Sequence, residues 1–144
     1  MARPVTPALT VDAIIELVDQ KNRPIVLIER KYPPFGWAIP GGFVDVGETV
    51  EDATCREAKE ETCLDIQITK FLGCYSNPSR DPRGHTVSLI YIACASGVPV
   101  AMDDAKSVKA FPIDQLPQQL AFDHDRILQD YRDYRLSGVC PQPY

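Results

Sequence analysis

No stretch of the 144 residues approaches the roughly 20 consecutive apolar residues that a bilayer span requires. The opening segment, "MARPVTPALT", has no apolar core of the kind that directs secretion. These two absences lead to the expectation of a cytoplasmic protein with no membrane partner. No C-x-x-C pair occurs, and the five cysteines (Cys55, Cys63, Cys74, Cys94 and Cys140) are odd in number. That argues against a disulfide framework and against a zinc site, and reduced, mostly buried thiols are expected. Positive charge is in deficit, with a formal net charge of −5. A binder of long nucleic acid needs a basic face, so no nucleic acid polymer is expected as a partner. A small phosphorylated ligand stays compatible with this balance if a bound cation mediates the contact. Repeats and low-complexity tracts are absent too. The length suits one domain over residues 1–144, long enough to bury a core.

The segments that are present alternate in kind. "ALTVDAIIELVD" (8–19) and "RPIVLIER" (23–30) are apolar and β-rich, and "QKN" between them reads as the turn of a hairpin. "KYPPFG" (31–36) is a loop, because adjacent prolines forbid helix and interior strand. "WAIPGGFVD" (37–45) resumes an extended path. "TVEDATCREAKEET" (49–62) has no Gly or Pro, and Thr49 and Asp52 make a capping-box start. "DIQITKFLGCYS" (65–76), "TVSLIYIACA" (86–95) and "VKAFPI" (108–113) read as strands, and "SNPSRDPRGH" (76–85) as a turn-rich loop. "AFDHDRILQDYRDYRL" (121–136) reads as a terminal helix with Asp123 capping its start. Strands, helix, strands, helix in that order predict a mixed sheet covered by helices.

One segment is at odds with ordinary helix chemistry. On a helix over 49–64, Glu57, Glu60 and Glu61 fall on the face that also carries Val50, Ala53 and Leu64, with Lys59 and Asp52 opposite. Three carboxylates are thus aimed at the sheet. Like charges four apart destabilise a helix by a few tenths of a kcal/mol, and desolvating each ion costs several kcal/mol. A hard divalent cation shared with substrate phosphates removes that cost, and Mg²⁺ takes such oxygen ligands. The plainer alternative is a solvated acidic face with Arg56 and Lys59 as local partners. Gly41 and Gly42 permit positive φ and close backbone approach just before the helix.

The spacing Gly42, Glu48, Arg56-Glu57, Glu60-Glu61 resembles the Nudix box, here residues 42–64. Cys63 stands where that box usually has glycine, and Ala58 where a larger aliphatic is common. "PPFGWAIPGGFVDVGE" (33–48), "YSNPSRDPRGHTVSLIY" (75–91), "DDAK" (103–106) and "AFDHDRIL" (121–128) resemble the ADP-ribose pyrophosphatase branch of that family. The resemblance implies an α/β (α+β) fold, an α/β/α sandwich with a mixed β-sheet. It implies Mg²⁺- or Mn²⁺-dependent hydrolysis of a nucleoside diphosphate linked to another group, here ADP-ribose to AMP and ribose 5-phosphate. Carried over by position, the metal ligands are Gly41, Glu57, Glu60 and Glu61. Glu57, Glu60, Arg56 and Glu48 form the catalytic set, with Arg56 orienting the acids through Glu48. Arg80, Arg83, His85 and Asp104 are the expected substrate contacts. The general base is left open among Glu60, Glu57, Asp103 and Asp104. A homodimer is expected on the same ground. Other nucleotides, and ADP-ribose sensing without catalysis, stand as alternatives.

Overall fold

The computed structural model describes residues 2–143. Its organising strand is β1 (Ala8–Leu17), buried on both faces over its last eight residues. Ile14 joins one core cluster, while Ala13, Ile15 and Leu17 join another. Alternate side chains of one strand thus enter two cores, as in a sheet covered on both sides. β1 runs parallel to β6 (Thr86–Ala95) over ten register pairs, and β6 in turn pairs antiparallel with β5 (Gln67–Tyr75) at the sheet edge. The second cluster packs under α1 (Val50–Thr62), which contributes Ala58. The first packs under α2 (His124–Ser137), which contributes Ile127, Leu128 and Tyr131.

The other edge of β1 is split, and the split makes the site. β2 (Ile25–Arg30) meets β1 at a single register pair, Glu16 with Ile25. Beyond it the two strands part. The turn runs longer than "QKN" predicts, with Asn22 and Arg23 both at positive φ. Residues 37–43 enter the gap. β3 (Trp37–Ala38) pairs with β2, and β4 (Gly41–Phe43) pairs with Thr10, Val11 and Asp12 of β1. β7 (Ala105–Phe111) covers the far edge of β2, beginning three residues before the expected strand. The seven strands form one mixed sheet, which agrees with the expected fold class.

α1 begins as its capping box predicts: the Thr49 hydroxyl accepts from the Asp52 N–H at 3.1 Å. It ends at Cys63, which adopts φ 61° while its N–H reaches the Lys59 carbonyl. The buried stripe differs from the expected one. It consists of Ala53, Thr54, Ala58, Glu61 and Thr62, centred on Glu61 rather than on Glu57. Small residues let the helix lie close, and the hydroxyls of Thr54 and Thr62 are satisfied by carbonyls four residues earlier. The rotation carries Glu60 out of the interior, leaving its side chain 42% exposed.

α2 departs from expectation as well. Asp123 occupies the N-cap position but makes no side-chain cap bond. Its carboxylate instead takes the Arg80 guanidinium in two bonds of 2.8 and 3.1 Å, a charge-assisted pairing stronger than a cap. The thiols also correct the sequence reading. All five are free, but four are half-buried and Cys74 is exposed. Among the described residues no helix is long and apolar enough to cross a membrane.

Candidate active site

The mouth between β1 and β2 opens into a cleft of about 350 Å³. Its acidic wall comes from α1. Glu61, only 6% exposed, accepts the Gly41 N–H at 2.7 Å. Burial pushes its carboxyl up to about 8 against that bond, with Glu57 and Asp12 adding like charge. Glu57 is raised by burial too, with Arg56 opposing. Arg56 is the hub of the outer cluster. It forks onto both Glu48 oxygens at 2.6 and 3.0 Å, and its Nη1 donates to Glu57 at 2.9 Å and to Glu60 at 3.2 Å. Hydrogen bonds from Arg56 hold Glu48 down at about 2. The two glycines serve by close approach, and neither takes positive φ. A Cβ on Gly41 would lie 2.1 Å from the Val11 carbonyl oxygen, and one on Gly42 2.5 Å from the Glu57 carboxyl carbon.

The opposite wall is cationic and aromatic. Arg83 is held by two bonds to Asp81, of 3.1 and 2.9 Å. Its guanidinium lies over Phe43 and over Phe122. Arg30, at the end of β2, lies over Phe122 as well. Asp103 and Asp104 border the same space on a loop tied back by Lys31. The floor is Asp12, on the β1 register opposite Gly41. Its carboxylate accepts from Ser88, and burial pushes it up to about 7 despite that bond. His124 lies 4.0 Å from Asp12 and accepts the Ile39 N–H on Nδ1; burial holds it neutral, down at about 3.

The donors of the acidic wall fit a hard divalent cation. All are carboxylate or peptide oxygens, and the buried ones resist holding charge without a counter-ion. As they stand, Glu57 and Glu60 turn toward Arg56, and among the described residues no three His, Cys, Asp or Glu side chains are grouped to hold an ion.

Residues 7–131 match the NUDIX domain. The chain belongs to the Nudix family. It is 48% identical over 132 residues to the ADP-ribose pyrophosphatase of Methanocaldococcus jannaschii, covering 90% of this chain and 75% of that one. It is 34% identical to the ADPR responsive transcriptional repressor NtrR of Acinetobacter baylyi, covering 86% of this chain but only 52% of the repressor. The NUDIX domain of Shewanella oneidensis NrtR, solved with ADP ribose, superposes with a TM-score of 0.79 at 31% identity, covering 92% of this chain and 90% of that one.

Within this Nudix chain the cleft gathers some expected residues and omits others. Gly41, Glu57, Glu60, Glu61, Arg83 and Asp104 line it. Glu48 and Arg56 stand behind the acidic wall. Arg80 reaches the cleft edge, but its side chain is 4% exposed and is spent on Asp123 and Thr86. His85 is not among the residues lining the cleft, and its Nε2 lies against the Ser76 carbonyl at 2.9 Å. Trp37 packs edge-on against Phe111, whereas Phe35 is exposed. Sequence reading missed Asp12, Arg30, Asp81 and Phe122. Asp12 had one signal, a lone acid inside the apolar run "TVDAII". Arg30 had none beyond ending a strand.

Proposed function

We propose that this Nudix chain hydrolyses ADP-ribose to AMP and ribose 5-phosphate with Mg²⁺ or Mn²⁺. The observation that carries the reading is the placement of Glu61. It is buried, charge-averse and bonded to the Gly41 N–H, and the cationic Arg30 and Arg83 face it across the cleft. That polarity suits a diphosphate joined to a cation on one side and to guanidinium groups on the other. The 48% identity to an ADP-ribose pyrophosphatase supports the substrate.

Glu57, Glu60, Glu61 and the Gly41 carbonyl would hold the cation. When bound, it polarises phosphoryl oxygens and acidifies water. Arg56 is a positioning residue: its fork onto Glu48 leaves Nη1 aimed at Glu57 and Glu60, setting where those acids stand. Arg83 and Arg30 bind phosphate oxygens, and Asp104 orients the sugar end. In the reaction a water oxygen bonds to one phosphorus, the bridging P–O bond breaks, and the departing phosphate keeps the electron pair. The water's proton passes to one of four acids at the cleft: Glu60, Glu57, Asp103 or Asp104. Single Glu60→Gln and Asp104→Asn variants separate the helix from the loop as its source. One Nudix domain over 1–144, a cytoplasmic setting and a homodimer belong to the same reading, and sedimentation checks the last.

The deciding experiment is a substrate panel with Mg²⁺ and with Mn²⁺, following AMP and phosphate release. ADP-ribose is expected to be turned over in preference to oxidised nucleoside triphosphates, dinucleoside polyphosphates and sugar nucleotides. Preference for a triphosphate overturns the substrate. Tight ADP-ribose binding without turnover moves the chain to the sensing role named for the NtrR relative.

A further inference from the structure

Phe122 stands in the left-handed region, at φ 57°. A bulky aromatic adopts that conformation only where its surroundings impose it, and such positions gather at functional sites. The imposing contacts are plain. On one side the Ala121 N–H donates to the Trp37 carbonyl at 2.8 Å. On the other, Asp123 is locked to buried Arg80, and His124 receives the Ile39 N–H. The segment cannot relax without breaking one of these. Its consequence is a ring with two cations over it, the Arg30 guanidinium carbon at 4.9 Å from the centroid and that of Arg83 at 5.3 Å.

Two guanidinium groups brought to one ring repel each other, and burial together with Arg83 holds the Arg30 group below its usual range. A π-face offsets that repulsion and consumes no N–H donor. A carboxylate in the same place would neutralise Arg30 and compete with an anionic ligand. The donors are in fact spared. Arg30 spends Nε on the Pro34 carbonyl at 2.8 Å, and Arg83 spends Nε and Nη2 on Asp81. Both Nη groups of Arg30 and Nη1 of Arg83 make no hydrogen bond among the described residues.

We propose that Phe122 is a positioning residue whose ring holds Arg30 and Arg83 as a preformed receptor for a diphosphate, facing the carboxylates of α1 across the cleft. It acts through the two arginines and does not touch the reacting atoms. The inference rests on the function proposed above for the name of the substrate, and on the cleft's geometry for the receptor.

The test is a double-mutant cycle read by calorimetric titration of inorganic pyrophosphate with Mg²⁺, alongside ADP-ribose kinetics. Phe122→Leu keeps apolar volume and removes the π-face; Phe122→Met serves if the leucine variant fails to fold. Pyrophosphate affinity is expected to fall about tenfold and KM to rise by a similar factor, while kcat changes by less than about threefold. Phe122→Tyr restores most of the affinity lost in Phe122→Leu. Arg30→Gln costs about tenfold in the wild-type background and less than about threefold beside Phe122→Leu. Undiminished affinity in the ring-less variants, or simple additivity with Arg30→Gln, overturns the proposal, as does a wild type that fails to bind pyrophosphate. Pyrophosphate binding without ADP-ribose turnover sinks the substrate assignment alone.

Discussion

α1 and α2 bury ionisable side chains against opposite faces of one sheet and settle them in opposite ways. Under α2 the groups are matched. Glu16 takes the Tyr131 hydroxyl and pairs with Arg23 at 3.2 Å, and Asp123 takes Arg80. Under α1 the hydrogen bonds are made but the charge is not balanced. Glu61 receives a peptide N–H, Glu57 and Asp12 beside it carry its own sign, and Arg30 opposes them without forming an ion pair to it. No buried side-chain nitrogen or oxygen among the described residues lacks a hydrogen bond, so polar satisfaction does not distinguish the helices. Net charge does. Asp123 has Arg80 as an ion-pair partner and Glu61 has none within bonding distance; the cation proposed above would supply that pairing.

Removing the mismatch breaks the comparison most sharply. Glu61→Gln still accepts the Gly41 N–H but carries no charge. Turnover is expected to fall at least about a hundredfold, and the thermal midpoint in metal-free buffer to stay level or rise. Tyr131→Phe, across the sheet, is expected to do the reverse. It removes one hydrogen bond of Glu16, which keeps Arg23 at 3.2 Å, lowers stability by about 1 kcal/mol and leaves turnover intact. Steady-state kinetics and thermal melts on both variants check the pair. A stability loss in Glu61→Gln equal to that of Tyr131→Phe would mean that the two helices bury charge alike.

The loop at 76–85 repeats the contrast within a few residues. Arg80→Gln leaves Asp123 without its partner. A stability loss of about 2 kcal/mol is expected, below the range for a fully buried pair because Asp123 keeps 19% of its side chain exposed. Arg83→Gln is expected to leave the urea midpoint nearly unchanged and to raise KM for ADP-ribose about tenfold or more. Denaturation curves and kinetics of the two variants separate the structural arginine from the ligand-facing one.

How far the chain announces these roles depends on how local their causes are. The cap at Thr49, the run of α1 and the apolar runs of β1 and β6 depend on neighbours a few residues away, and all were readable. Which arginine of "SRDPRGH" is spent internally depends on Asp123, 43 residues from Arg80. Helical spacing put Glu57, Glu60 and Glu61 on one face but could not say which edge of that face turns to solvent. The small residues Ala53, Thr54 and Ala58 decided this by letting the sheet approach on the Glu61 side. Arg30 and Phe122 meet only because β3 wedges between β1 and β2 while also holding Gln119 and Ala121, a juxtaposition no window of sequence contains.

Asp12 and His124 offer a finer break, because their pH dependences oppose. The unfolded carboxyl titrates at 3.8 and the folded one at about 7, so Asp12 binds its proton more tightly in the folded state and favours folding less as pH rises toward 7. His124 falls from 6.5 to about 3, so its contribution is present above 6.5 and is lost as pH falls through that interval. Between pH 7 and 5.5 the two slopes run against each other, while Glu61, held at about 8, adds a further rise in stability as pH falls; the pair is therefore read in a Glu61→Gln background, where stability in metal-free buffer is expected to stay nearly flat. Asp12→Asn exposes the histidine slope and is expected to lose about 1 kcal/mol over that range. His124→Gln exposes the other slope and is expected to gain a similar amount. Parallel slopes in the two variants, from urea midpoints at constant m-value, would show that the groups titrate independently of their burial.

The smallest effect sits where α1 ends. Cys63 holds φ 61° at a position where glycine is usual in this family, and its N–H closes the helix on the Lys59 carbonyl at 3.0 Å. A side chain costs roughly 1 to 2 kcal/mol in the left-handed region, and glycine gives back about 0.5 to 1 kcal/mol through unfolded-chain entropy. Cys63→Gly is therefore expected to stabilise the fold by about 0.5 to 1 kcal/mol. The cap is local and lies at the far end of α1 from Glu48, so the position of Glu57 against Gly42 should not change and neither should KM. Gly138, the equivalent cap of α2, already has φ 75° and a bond to the Tyr134 carbonyl at 2.7 Å. Gly138→Ala should cost what Cys63→Gly returns. Equal and opposite shifts in urea midpoint would establish that the two helices, so unlike in how they treat buried charge, are closed by the same backbone device.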